Sequence, residues 1–326
     1  MSDTDICRFP LEDEDLHTVS EDDIILACKP AFRHKESDNL YRISSEAIVK
    51  VADDNEMRES SNMEYITQHA DGKIRLPGIY RSFAHDTKSY TVRQFVDGET
   101  LDEMPWQSRG STQRTSIVKQ VAEGIVALRN LSCTTPGPVG GGSPVGNLFS
   151  RFGANKTFSD ARELETWMDQ NLALGKGGTL AGKFGILVMC HMDIASRNLL
   201  LDSGGNVWFL DWEWAGFYPA EFEIASLHPP KATDDDEMFS AELLWELNAI
   251  NKNEVVDLVL DVFEVNRGPE MLSHVLGNVT VHIGDGGQDG DEDGIQDGDA
   301  DEDEDGHEEE DGVVETEEAK PGAERG

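Results

Sequence analysis

One segment in the second half of the chain constrains the fold more than any other. The apolar runs 198–202 and 207–211 flank a turn that contains Ser-Gly-Gly, and this pattern predicts a β-hairpin. Folding about the turn brings Asn198 nearly opposite Asp211, and Asp193 lies on the loop that leads into the hairpin. Amide and carboxylate oxygens at one hairpin end suit a nucleotide-bound Mg²⁺. The segment therefore predicts a metal site, with Asp193 as the carboxylate that orients or deprotonates a hydroxyl.

The charge of the chain is strongly negative and unevenly distributed. Its 326 residues include 65 acidic and 27 basic side chains, for a formal net charge of −38. Residues 284–326 hold 20 of the acidic and 2 of the basic residues, which gives this tail −18 and leaves −20 on residues 1–283. A broad nucleic-acid surface needs an excess of Lys and Arg to neutralise phosphates, so we predict no nucleic-acid partner.

The sequence carries no signal of a membrane-bound or exported protein. The longest apolar stretch, 184–190, is far shorter than the roughly 18 to 20 residues that cross a bilayer. The N-terminal residues lack the basic and apolar regions of a secretion signal. The four scattered cysteines form neither a C-x-x-C pair nor a disulfide framework, which is typical of a reducing compartment. We therefore predict a cytoplasmic protein with no membrane partner.

Hydrophobic periodicity divides the chain into a β-rich region followed by a mainly helical one. Apolar and β-branched runs predict strands at 22–26, 40–43, 47–51, 78–83 and 90–95. A helix with Met63, Ile66 and Ala70 on one face separates the third strand from the fourth. Apolar stripes predict further helices at 117–128 and 164–172, and two more within 242–265. The fold class predicted is α+β, with a small β-rich N-lobe that has one helix and a larger, mainly helical C-lobe.

The same patterns predict four segments along the chain. They are a flexible N-terminus at 1–21, an N-lobe at 22–96, a C-lobe at 97–283 and an acidic tail at 284–326. The tail is a low-complexity run of Gly, Asp and Glu with almost no apolar residues, so it cannot bury enough surface to offset the entropy of ordering. We predict that the tail is disordered.

Two motifs around the hairpin resemble those of a known enzyme family. The pattern His191-x-Asp193-x-x-x-x-Asn198 is similar to the catalytic loop of the aminoglycoside phosphotransferase (phosphotransferase enzyme) family, within the protein-kinase-like superfamily. Asp211-Trp212-Glu213 resembles its metal-binding motif, and the continuation 214–223 resembles the large fungal group of these proteins. The resemblance covers about residues 22–270 and implies a two-lobed protein-kinase-like fold.

The resemblance also implies a nucleotide site in the N-lobe. Lys50, in the run Ile-Val-Lys-Val, would contact the α- and β-phosphates of ATP. Glu59 would be its helix partner, and Glu64 is the less favoured choice because it lies off the apolar helix face. The backbone from Gln94 to Val96 would hold the adenine.

For the C-lobe, the resemblance implies the chemistry of phosphoryl transfer. Asn198 and Asp211 would hold Mg²⁺, and Asp193 would position the acceptor hydroxyl and accept its proton. Arg197 would place a positive charge near the transferring phosphoryl group. The implied activity is transfer of the γ-phosphoryl of Mg·ATP to a hydroxyl of a small-molecule acceptor.

One departure from the kinase pattern motivates an alternative. No G-x-G-x-x-G precedes Lys50, and Ser44-Ser45-Glu46 occupies the place of a phosphate-covering loop. The alternative is a catalytically inactive kinase-like binding or scaffold protein whose acidic tail engages a basic protein partner. Protein kinase activity is disfavoured because Glu213 replaces the glycine of D-F-G and no A-P-E segment follows Gly216.

Overall fold

The computed structural model describes residues 8–35, 37–53, 57–149, 153–172, 177–228 and 233–276. They fall in a compact unit that spans Met1–Asn278. The acidic tail predicted to be disordered lies outside the described residues, and the four segment boundaries stay predictions. No helix in the described part of the chain is long and apolar enough to cross a membrane.

The described residues contain seven α-helices and ten strands. The helices are α1 (Glu21–Ala27), α2 (Arg58–His69), α3 (Ser111–Leu128), α4 (Ala161–Leu172), α5 (Ala220–Leu227), α6 (Asp234–Glu246) and α7 (Glu254–Leu276). The strands are β1 (Leu40–Arg42), β2 (Ala47–Ala52), β3 (Ile79–His85), β4 (Lys88–Gln94), β5 (Gly98–Thr100), β6 (Ser132–Cys133), β7 (Leu187–Cys190), β8 (Leu199–Asp202), β9 (Val207–Phe209) and β10 (Gly216–Pro219). This arrangement confirms the α+β fold, with the sheet and α2 ahead of a mainly helical region.

The N-lobe sheet positions Lys50 by strand alternation. Its four antiparallel strands have the order β1-β2-β4-β3, and Lys50 of β2 is paired with Thr91 of β4. Successive side chains of a strand point to opposite faces. Ala47 and Val49 therefore join the apolar cluster on one face, while Lys50 points to the other face, where it meets α2.

The first element is a helix, so the strand predicted at 22–26 is wrong. Ser20 caps α1 by accepting a hydrogen bond from the Asp23 amide at 3.1 Å, and the acidic first turn suits the positive end of the helix dipole. Ile24 is fully buried, whereas Leu26 is 61% exposed. Three consecutive apolar residues fit either a short strand or one helical turn, and the cap decides between them.

The described part of the segment before α1 packs against the N-lobe sheet. Leu11, Leu16 and Val19 are buried in the apolar cluster on the outer face of the sheet, and the Leu11 amide donates to the Ile43 carbonyl at 2.9 Å. Residues 8–20 thus contribute to the apolar cluster, and the flexible N-terminus at 1–21 stays a prediction. The first seven residues lie outside the described part.

The hairpin predicted from the sequence is confirmed as β8 and β9. Leu199 is paired with Phe209, and the Leu210 amide donates to the Asn198 carbonyl at 2.8 Å. Asn198 is thus opposite Leu210, one position from Asp211. Gly124 lets α3 pack closely against the hairpin, since a Cβ at this position would lie 2.6 Å from the ring of Phe209 on β9.

Candidate active site

Three charged side chains from separate elements meet beside the N-lobe sheet. Lys50 Nζ lies 2.8 Å from Glu59 Oε2 and 2.7 Å from Asp211 Oδ1. Lys50 and Glu59 side chains are each 10% exposed. The structure therefore brings together the lysine, its predicted helix partner and the metal-motif carboxylate. Glu64, the less favoured partner, is exposed.

The charged groups at this site change the pKa values of Lys50 and Asp211. Burial lowers the pKa of Lys50, but the carboxylates of Glu59 and Asp211 outweigh burial and leave that pKa above its usual value. Burial raises the pKa of Asp211, but the Lys50 ammonium outweighs burial and leaves that pKa below its usual value. Lys50 is therefore cationic and Asp211 anionic at neutral pH, which keeps an ammonium available for phosphate oxygens.

Arg93 is a second cation on Glu59 that the sequence reading did not identify. Its Nη1 lies 3.0 Å from Glu59 Oε1, and its side chain is 7% exposed. It follows Thr91 by two positions on β4 and so lies on the same face of the sheet as Lys50. Glu59 is consequently held from both sides, which fixes the carboxylate that orients Lys50.

The catalytic-loop motif forms a compact hydrogen-bonded group. Arg197 Nη2 lies 2.7 Å from both carboxylate oxygens of Asp193. Asn198 Nδ2 donates to Asp193 Oδ2 at 2.7 Å and to the Asp193 carbonyl at 2.9 Å. Three of the predicted site residues are thus brought together, and Arg197 contacts Asp193 directly.

Asn198 and Asp211 each keep one side-chain oxygen that is chemically able to bind a metal ion. Both Asn198 Nδ2 contacts go to Asp193, which leaves Oδ1 as the acceptor atom of that amide. Asp211 uses Oδ1 for Lys50, which leaves Oδ2. One amide oxygen and one carboxylate oxygen suit Mg²⁺, which keeps several waters and takes its other ligands from phosphates. In the part of the chain described, no group of three or more His, Cys, Asp or Glu could hold a metal by itself.

The backbone of the catalytic loop is anchored by a buried carboxylate on α5. Glu223 is 2% exposed and accepts hydrogen bonds from the amides of His191 and Met192. Met192 has a φ of 71°, a left-handed conformation that is uncommon for a residue with a side chain. Burial raises the pKa of Glu223 and outweighs the lowering effect of His191 and the two amides.

Two further contacts place the loop relative to the hairpin and to α6. The His191 ring is fully buried and its Nε2 lies 2.9 Å from the Leu210 carbonyl, one residue before Asp211. The Ser196 hydroxyl bonds the buried carboxylate of Asp236 at the start of α6. The first contact gives His191 a structural position that orients the catalytic loop.

The predicted adenine-binding backbone is partly engaged within the protein. The Gln94 amide donates to the Gly78 carbonyl at 2.7 Å, and the Gln94 side chain accepts from the Gly78 amide at 3.3 Å. The Phe95 amide donates to the Glu46 carbonyl at 2.7 Å. Within the described part, the backbone of Val96 makes no backbone hydrogen bond. Val96 thus offers free polar groups, and the role of Gln94 in holding adenine stays a prediction.

The turn in place of a glycine-rich loop is rigidly held. Arg42 donates to the carbonyls of Ser44 and Ser45 at 2.6 Å each. The Ser45 amide is bonded to the Glu12 carboxylate at 2.7 Å. The Ser45 amide, which a phosphate-covering loop could offer to a nucleotide, is therefore already bonded to Glu12.

Comparison with known proteins decides the family. The model of the phosphotransferase enzyme family, APH, matches residues 31–247, which is two thirds of the chain and includes every site residue named above that the sequence had predicted. The chain belongs to the phosphotransferase enzyme family. No curated protein sequence is significantly similar to it.

Solved structures show the same fold at low sequence identity. The crystal structure of aminoglycoside phosphotransferase APH(4)-Ia matches with a TM-score of 0.50 and 15% identity, over 76% of this chain and 86% of that chain. A thermostable mutant of the same protein, in a ternary complex with AMP-PNP and hygromycin B, matches with a TM-score of 0.51 and 15% identity over the same shares. These likenesses confirm the kinase-like architecture predicted from the motifs. The link to the fungal group stays a prediction.

Sequence reasoning missed several supporting residues of the site, among them Arg93, Glu223 and Asp236. Each contacts a motif residue, or its loop, from a distant point in the chain. A signal was available for Glu223 alone, because it is a charged residue within the apolar run Phe-Glu-Ile-Ala. A charged side chain in such a setting is buried only when it is paired.

Proposed function

We propose that this phosphotransferase family member transfers the γ-phosphoryl of Mg·ATP to a hydroxyl of a small molecule. The observation that carries the proposal is the 2.7 Å contact between Lys50 and Asp211, which are 161 positions apart. It joins the N-lobe lysine to the metal-motif carboxylate, directly after the hairpin that carries Asn198. Family membership and the fold shared with a protein crystallised with AMP-PNP support the use of ATP.

In this proposal the residues of the chain supply alignment and charge. Lys50, held by Glu59, binds oxygens of the α- and β-phosphates. Asn198 and Asp211 would hold Mg²⁺, which would supply positive charge to neutralise the phosphates. Alignment and charge neutralisation account for most of the rate gain in phosphoryl transfer, because the protein does little covalent chemistry.

Asp193 acts on the acceptor. The acceptor oxygen bonds to the γ-phosphorus as the bond to the β–γ bridging oxygen breaks, and the hydroxyl proton passes to the Asp193 carboxylate. Asn198 and Arg197 hold that carboxylate in one orientation. Arg197 therefore acts chiefly on Asp193, and its positive charge also lies beside the transferring group.

The acceptor class rests on the fold neighbours. A related phosphotransferase of the same fold is crystallised with hygromycin B, a small molecule. We propose a small hydroxylated metabolite as the acceptor. An ATP-consumption screen across amino-alcohols, aminosugars and other hydroxylated metabolites identifies it.

The test of the proposal is Asp193→Ala in that screen. We expect turnover to fall by about 10²- to 10⁴-fold, the usual contribution of a general base, while the affinity for Mg·ATP stays within about threefold because Asp193 contacts the acceptor. The control is Glu123→Ala, which removes an exposed carboxylate on α3 and should leave both quantities unchanged. Equal losses of turnover and nucleotide affinity in Asp193→Ala would contradict the assigned role.

One observation favours a second candidate function. The engaged amide of Ser45 removes one donor from the turn that would cover the phosphates. This favours a kinase-like binding or scaffold protein without turnover, with the acidic tail as the site for a basic protein partner. Nucleotide binding separates the two candidates.

A further inference from the structure

Asn62 is a buried polar residue that no part of the proposed chemistry uses. It lies on α2, three positions after Glu59, so both side chains project from the same side of the helix. It is fully buried. A buried amide is costly unless its donors and acceptor are all bonded, so its partners are informative.

The two donors of Asn62 bond the metal-motif segment. Its Nδ2 donates to the carbonyl of Trp212 at 2.9 Å and to the carbonyl of Ala215 at 2.9 Å. Trp212 directly follows Asp211. The helix that carries Glu59 is therefore bonded to the backbone next to the carboxylate that pairs with Lys50.

The acceptor of Asn62 bonds a third segment. Its Oδ1 accepts from the Val139 amide at 3.0 Å, within the glycine-rich loop 136–146. That loop is in turn paired with β10, where Gly137 and Phe217 exchange hydrogen bonds at 3.1 and 2.8 Å. Gly216 is required here, since a Cβ would lie 2.5 Å from the Gly137 carbonyl. The loop is thus a fixed support for the amide.

We propose that Asn62 is a positioning residue that fixes Glu59 and Asp211 relative to each other. This inference rests on the proposed function, since it concerns the geometry of the Lys50 site. The Lys50 ammonium reaches both carboxylates only if α2 and the segment 211–215 keep their spacing. Asn62 sets that spacing with three hydrogen bonds and no charge of its own, so the ion-pair arrangement is built into the fold before any ligand binds.

The test compares two Asn62 variants with a control on the same helix. Asn62→Leu keeps the branched shape of the side chain and removes all three hydrogen bonds. Asn62→Ser gives a smaller side chain and carries the test if the first variant does not fold. The control is Ile66→Val, which loosens the packing of α2 at a fully buried position without touching a hydrogen bond. All are made in the full chain and measured at a temperature where each is folded.

Two measurements are made on each variant. In phosphotransfer, we expect kcat to fall by about 10- to 100-fold, because misplacement of aligned groups by about 1 Å costs this much. The KM for ATP should rise as well, because the displaced Lys50 and Asp211 bind the phosphates and the metal ion in the proposed function, and Ile66→Val should keep kcat within about twofold. In amide hydrogen exchange without ligand, the Asn62 variants should exchange faster at 137–141 and 212–216, and Ile66→Val should not.

The outcomes separate the positioning role from the proposed function. If kcat of both Asn62 variants equals that of Ile66→Val, the positioning role is overturned. If the wild-type chain has no phosphotransfer activity, the proposed function fails, and hydrogen exchange then decides whether Asn62 fixes the two segments. If hydrogen exchange at 137–141 and 212–216 is unchanged in the Asn62 variants, the positioning role of Asn62 is overturned as well.

Discussion

At the scale of single residues, the side chains proposed for chemistry are oriented by hydrogen bonds from neighbouring polar side chains. Asp193 is oriented by Asn198 and Arg197, and the loop on which it lies is held by Glu223. Each contact satisfies a buried or half-buried group that would otherwise lose its hydrogen bonds to water. Removing a supporting residue should therefore cost stability and activity together.

Glu223 gives the sharpest prediction at this scale. Glu223→Ala leaves the amides of His191 and Met192 without an acceptor in a buried site. Each of the two unsatisfied donors costs about 1–3 kcal/mol, so we expect the free energy of unfolding, measured with urea, to fall by about 2–6 kcal/mol. Turnover should also fall, because Met192 would no longer be held in its left-handed conformation.

The control for Glu223 lies on the same helix. Glu221→Ala removes a half-buried carboxylate two positions earlier, and surface changes of this kind usually cost within about 0.5 kcal/mol. If Glu223→Ala and Glu221→Ala lower the free energy of unfolding equally, the two amides are not supported by Glu223.

At the scale of elements, the turn of the hairpin is stabilised by one carboxylate. Asp202 accepts hydrogen bonds at 2.9 Å from the amides of Gly204 and Asn206 and from the indole of Trp208. Burial raises the pKa of Asp202, but these hydrogen bonds outweigh burial and lower it from 3.8 to about 2. The turn therefore depends on the ionised carboxylate.

This dependence predicts how the stability of the hairpin changes with pH. A lowered pKa in the folded state means that the stabilisation is complete above pH 3.8 and is lost as the pH falls toward about 2. Asp202→Asn should lower the free energy of unfolding by about 1 kcal/mol at pH 7, the net value of a typical hydrogen bond. The difference from wild type should shrink between about pH 4 and 2. A difference that is constant over this range, in urea unfolding with Glu123→Gln as control, would contradict the assignment.

The elements also show what the sequence could and could not predict. The hairpin was predictable because a short alternating run encodes it, whereas the roles of Lys50 and Glu59 came from the family resemblance, on a strand and a helix that local patterns predict. The helix α1 was mistaken for a strand because its apolar run is too short to distinguish the two periods. Asn62 was not predictable, since its partners lie 77 to 153 positions away and only the assembled fold brings them together.

At the scale of the whole molecule, a net charge of −38 opposes the binding of a polyanion such as ATP. Positive charge at the site opposes this repulsion locally. Lys50 and Arg93 lie within hydrogen-bond distance of Glu59, and the oxygens of Asn198 and Asp211 suit a divalent cation. Nucleotide binding should therefore require Mg²⁺ and the Lys50 ammonium. It should also depend on ionic strength, since salt screens the surrounding negative field.

The thermal stability of the full chain tests this requirement. A ligand that binds only the folded state, at a hundred times its dissociation constant, adds about 2.7 kcal/mol. For a folded body of roughly 150–250 residues this raises Tm by about 5–11 °C. We expect that rise with Mg·ATP, and little or none with Mg²⁺ alone or with ATP and a chelator, because the phosphates and the metal neutralise each other only in the complex.

Two lysine variants assign the rise to the site. Lys50→Met should lose most of the increase in Tm, because Lys50 is the buried ammonium of the site. Lys88→Met should keep it, because Lys88 contacts exposed Asp53 at 3.3 Å rather than a residue of the site. This control removes the same charge from the neighbouring strand β4. A wild-type chain with no rise would reject the ATP-dependent transferase and leave the scaffold alternative. Equal rises in both variants would place the nucleotide away from Lys50, because the net charge of the two proteins is the same.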